Sequence, residues 1–249
     1  MTPVDVTIPP GTVADTTIQP MVPVRVEARM AEPVIGLDTN PLHLDGPLSQ
    51  AGWAEYLDVH GHGSLPPMTP DSCADFNLPL ATWTAPAPSD GVHDLARAAD
   101  RTLVWGWACS AADYQPAGAT ITQVRRRPAT DVMARYTPDK THHLSAGPLK
   151  ARDVPQPAVL VETITWWALT PDPDRLHRML NRVPGLGRLP RHGNGRVHQW
   201  TVNVDERAAQ RWRWRTWPQP GGLPAGIRAP YHHPSRRMPC APLGDPPWR

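Results

Sequence analysis

Apolar and polar residues alternate over residues 22–30: Val22, Val24, Val26, Ala28 and Met30 share one side, with Arg25, Glu27 and Arg29 on the other. A period of two predicts a half-buried strand, and Pro23 is tolerable near its start. From Asp45 the period lengthens. Leu48, Ala51, Tyr56 and Leu57 form a modest stripe behind Asp45 as N-cap and Pro47 in the first turn, which predicts a helix of about three turns. Short apolar runs at 78–83 and 102–109 read as strands, with one or two helical turns over 93–100 between them. Residues 158–169 are apolar on both faces and read as one central strand. Then Asp172 and Pro173 suit the start of a helix, and Leu176, Met179, Leu180 and Val183 recur at i, i+3, i+4 and i+7. Residues 196–204 alternate once more.

The order is strand, helix, strands with a long insertion, strand, helix, strand. Stripped of the insertion this is the βαββαβ pattern, so the expected class is α+β with a ferredoxin-like fold. Residues 1–20 read as a flexible tail and 21–205 as the ferredoxin-like domain. Residues 206–249 form an Arg/Trp/Pro-rich extension that includes Arg211-Trp-Arg-Trp-Arg-Thr-Trp217. Its tryptophans either stack bases or pack inward from an edge strand whose arginines face outward, and packing is the favoured reading.

Composition adds compartment and partner. The chain has 249 residues with 33 prolines and 18 glycines, so much of it is loop or extended segment. It contains no apolar run long enough for a membrane helix, and its first residues lack the pattern of a signal peptide. Cys73, Cys109 and Cys240 are far apart and unpaired in sequence, which suggests a reducing compartment; the expected location is cytoplasmic. Charge is polarised. Residues 1–120 hold four arginines against 14 acids, net −10, while residues 121–249 hold 21 cations against nine acids, net +12. A basic half of this strength is the footprint of a nucleic-acid binder.

Two stretches carry the candidate chemistry. Residues 185–196 gather Gly185, Gly187, Arg188, Arg191, His192, Gly193, Asn194, Gly195 and Arg196. Glycines permit close backbone approach, converging amides can hold an anion, and arginines fork onto phosphate oxygens. The insertion, about 115–157, carries Arg125, Arg126, Arg127, Lys140, His142, His143, Lys150 and Arg152 with few apolar residues, and reads as a basic hairpin leaving the main fold. Other pairs read blandly. His43 and Asp45 fix the loop entering the helix, and His60, His62 and Cys73 lack the spacing of a metal site, so no metal and no cofactor are expected.

A set of short blocks in order carries a resemblance: Ala31-Glu-Pro-Val34, Pro41-Leu-His-Leu-Asp45, Leu78-Pro-Leu80, Ser145-Ala-Gly-Pro-Leu-Lys150 and Pro230-Tyr231, with the glycine loop behind the helix at 174–183. The chain resembles the RAMP superfamily of CRISPR-associated proteins, and most closely the type IV subunit equivalent to the RAMP that binds the 5′ handle of the crRNA. The resemblance implies a non-catalytic subunit that binds guide RNA at one end of a ribonucleoprotein and contacts the adjacent backbone RAMP subunit, with the insertion acting as a thumb. The alternative is a metal-independent endoribonuclease built on Tyr136, Lys140, His142, His143 and His192, residue types that can activate a 2′-hydroxyl.

Overall fold

In the computed structural model, the residues described are 13–15, 20–37, 40–61, 68–69, 72–73, 75–88, 103–126 and 152–248. In chain order the first half forms β1 (Val13–Asp15), β2 (Val22–Met30), β3 (Val34–Ile35), α1 (Asp45–His60), β4 (Met68–Thr69), β5 (Ser72–Cys73), β6 (Thr82–Pro86), β7 (Leu103–Trp107) and β8 (Asp113–Tyr114). The second forms β9 (Gly118–Arg126), β10 (Arg152–Leu160), β11 (Thr163–Thr170), α2 (Pro173–Leu180), β12 (Val197–Val204), α3 (Ala208–Arg211), β13 (Pro218–Gly226) and β14 (Arg237–Cys240). The chain is mixed α and β, with few helices and antiparallel strand pairing throughout these sheets.

The main sheet runs β12-β2-β11-β8. Its register places Val202, Val26 and Trp166 side by side, so one face is apolar across three strands. Val24, Val26, Ala28, Ile164, Trp166 and Ala168 are fully buried there with Leu48 and Ala51 of α1 and Leu176, Met179 and Leu180 of α2. Each large side chain removed from water contributes about 1.5–3 kcal/mol. Two indole N–H groups of this core find carbonyls: Trp166 donates to Leu42 (2.8 Å) and Trp200 to Val183 (3.0 Å). The helix α2 begins as its sequence dictates. Asp172 accepts from the amide of Arg175 at 2.8 Å and Pro173 occupies the first turn.

Three expectations need correcting. Asp45 is not an N-cap: the helix starts on it behind Leu44, and its carboxylate turns away to the C-terminal segment. The apolar run at 158–169 is two strands, because Val161 and Glu162 interrupt it and hand the chain from the β9–β10 pair to the main sheet. The Arg/Trp segment is a short helix and turns rather than an edge strand. Its tryptophans do pack inward. Trp212 and Trp217 join Trp83, Val104, Leu169, Ile227 and Cys240 in a second core against the β1-β6-β7 sheet.

Candidate nucleic-acid interface

β9 and β10 form a nine-residue antiparallel ladder, from Gly118 opposite Leu160 to Arg126 opposite Arg152. These are the arms of the expected hairpin. Arg125, Arg126 and Arg152 lie on them, at the end remote from the main sheet's connections. Arg127, Lys140, His142, His143 and Lys150 lie outside the described residues, as does Tyr136. On its other edge β10 pairs with β3, Ala158 with Ile35 and Val159 with Val34.

The glycine loop docks onto that same short strand. Arg188 N donates to Ile35 O at 2.9 Å, and Gly195 N donates to Pro33 O at 2.8 Å. Gly187 has φ +76°, and a Cβ there would come within 2.5 Å of Ile35 O and 2.7 Å of Val34 Cγ1, so this position admits only glycine without displacement. Leu189, itself left-handed at φ +60°, packs on Ile35, Val124 and Ala158. The two stretches singled out in the sequence therefore meet across β3.

Part of the loop's backbone is committed within the chain. Amides of Leu186, Arg188, His192, Gly193 and Gly195 donate to backbone carbonyls, four of them to partners within 33–35 or 189–190 and one, Leu186, to Gly195. These bonds fix the loop's shape. Arg188, His192 and Arg196 are exposed, whereas Asn194 is buried and serves the loop's interior. Arg196 reaches Glu32 at 3.6 Å with both side chains largely in solvent, a pairing too weak to withhold it from a ligand. Arg178 of α2 is exposed as well.

Other arginines are structural. Arg215 is buried and donates to the carbonyls of Trp107, Cys109 (3.0 Å) and Ile227 (2.5 Å). Arg228 lies 3.9 Å over the Trp105 ring and bonds Asp75 at 3.2 Å. Arg236 takes the other Asp75 oxygen at 2.9 Å and the Cys73 carbonyl at 2.7 Å. Burial pushes the Asp75 carboxyl above its usual range despite Arg236 beside it. The basic excess of the second half therefore overstates the charge available to a ligand.

His43 and Asp45, read as loop-fixing, sit in a buried polar cluster with Tyr231. Asp45 accepts from Tyr231 Oη (2.5 Å) and Ala229 N (2.9 Å), and His43 stacks on the Tyr231 ring at 5.0 Å and accepts from Thr216 N at 3.2 Å. Burial, with Arg215 nearby, holds the His43 imidazole well below its usual pKa, and burial with Asp45 adjacent raises the Tyr231 phenol well above its own. The role of Tyr231 had no periodic signal; its only trace in the sequence was the pair of short blocks, Pro41–Asp45 and Pro230-Tyr231, that the fold brings together. Among the described residues no helix is long and apolar enough to cross a membrane.

The model of the family described as CRISPR type IV associated protein Csf3 matches residues 108–241. That span covers β8 to β14, including both arms and the glycine loop, and is more than half of the chain. The chain belongs to this family and is a type IV CRISPR-associated subunit. No curated protein matches it.

Proposed function

We propose that the chain is a non-catalytic, RNA-binding subunit of a type IV CRISPR ribonucleoprotein that holds the 5′ end of the guide RNA and caps the backbone filament. The observation that carries this reading is the junction at β3, where the glycine loop and the basic arms are locked to one two-residue strand. Arg188, Arg191 and Arg196 on one side, and Arg125, Arg126, Arg127 and Arg152 on the other, then serve one ribose-phosphate strand. Lys140, His142, His143 and Lys150, outside the described residues, complete the proposed RNA-binding set. Cationic side chains on a rigid base hold phosphates in register without reading sequence.

The RAMP reading draws support from the main sheet. The order β12-β2-β11-β8, all antiparallel and with α1 and α2 on one face, is the order a βαββαβ chain gives. In this reading β8 is the shortened second strand, and β9–β10 is the thumb-like insertion that follows it. The partners are guide RNA and the adjoining backbone subunit.

The test is photocrosslinking within the purified complex, using guide RNA that carries 4-thiouridine at its 5′ end. Crosslinked peptides are expected from residues 185–197 and from 118–160. Crosslinks confined to other subunits would remove the guide's 5′ end from this chain.

A further inference from the structure

Two cavities, of about 420 and 510 Å³, adjoin beside β8 and share Tyr114 and Pro116 in their walls. Together they make an open groove along the outer strand of the main sheet. The first is lined by Pro41, Pro246 and Trp214 among others, and by the carboxylate of Asp245. The second is lined by Thr163 and Thr165 and by two further acids, Asp113 and Glu162. Among the described residues no lysine, arginine or histidine lines either one. Arg211, whose charge bears on Asp113, is committed between the Trp167 and Trp248 rings at 4.5 and 4.7 Å.

This chemistry selects among ligands. A phosphate chain entering the groove meets the exposed acids Glu162 and Asp245, with Asp113 already accepting from the Trp248 indole at 2.7 Å, and no cation among these lining residues, so nucleic acid is disfavoured. An added β-strand needs donors along the receiving edge, and β8 offers only two residues before Pro116, which supplies no N–H. A polyproline II segment makes no ladder; it lays its rings between aromatic and proline ridges. Flanking cations on such a segment meet the carboxylates.

We propose that this groove docks a proline-bearing, arginine- or lysine-flanked extended segment of a partner polypeptide. RNA and protein then take different surfaces, the glycine loop and arms for one and the β8 groove for the other. The docking proposal stands on the groove alone and does not depend on the RNA reading.

Fluorescence anisotropy tests it with a labelled peptide carrying two Pro-x-x-Pro repeats between arginines, and the same peptide flanked by glutamates. The exposed acids allow a variant that spares the interior, Glu162→Lys/Asp245→Lys. The arginine-flanked peptide is expected to bind saturably and to lose about tenfold or more in affinity to the variant, while the glutamate-flanked peptide fails to bind. A peptide that does not bind, binding indifferent to charge reversal, or displacement of the peptide by a short single-stranded RNA would each overturn the proposal.

Discussion

Gly187→Ala tests whether the junction at β3 organises the candidate interface. The new methyl has two costs. At φ +76° an L-residue is strained by roughly 1–2 kcal/mol. Its Cβ would also stand 2.5 Å from Ile35 O and 2.7 Å from Val34 Cγ1. Relief requires the loop to retreat from β3 by roughly 1 Å, at an overpacking cost of about 1–3 kcal/mol that includes weakening the bond from Arg188 N to Ile35 O. The total is about 2–5 kcal/mol of stability. Gly193→Ala is the internal control, because Gly193 has φ +87° and a methyl added there would find nothing within 4 Å. It should cost only the backbone strain, about 1–2 kcal/mol. Urea melts of both variants give the difference, and RNA affinity measured on the folded fraction gives the consequence. Gly187→Ala should weaken RNA binding while Gly193→Ala leaves it near wild type. Equal stability losses in the two variants, or equal RNA affinities, would refute the reasoning.

Removing Asp45 as Asp45→Ala strands the Tyr231 hydroxyl, the Ala229 amide and the buried Arg215 charge, and should cost about 3–5 kcal/mol, read as early proteolysis after residue 205. Tyr231→Phe keeps the ring on His43 and loses one bond to a carboxylate, about 1.5–3 kcal/mol in a urea melt. His43 makes stability pH-dependent. Its folded pKa is depressed, so the unfolded chain takes up a proton below about pH 6.5 that the folded state refuses, and stability falls as pH drops through that point. The slope lost in His43→Gln relative to wild type should approach about 1.4 kcal/mol per pH unit between pH 6 and 5; identical slopes would contradict it.

Much of the main sheet was legible because its alternation is clear. Val22–Met30 buries one face, Val197–Val204 buries Trp200 beyond an irregularity between Val197 and Gln199, and Pro173–Leu180 carries its cap and its stripe in plain sequence. The break at Val161-Glu162 was not legible. Both neighbouring strands are apolar enough to read as one run, and only pairing partners separate them. The second core was hidden for another reason. Its members come largely from 81–108 and 212–240, segments with no periodicity, and its arginines are satisfied by carbonyls far away in sequence. The glycine loop was legible from its composition, and Gly187 serves close backbone approach to β3 while several of the loop's amides are bonded within the chain.

The central claim is that cations of the loop and the arms face one RNA strand, and its most direct measurement is the salt dependence of guide-RNA affinity. For single-stranded RNA the slope of log K against log salt changes by about 0.7 for each phosphate contact removed. Arg188→Ala/Arg196→Ala should therefore flatten the slope by about 1.4, whereas an unchanged slope with unchanged affinity would contradict the account.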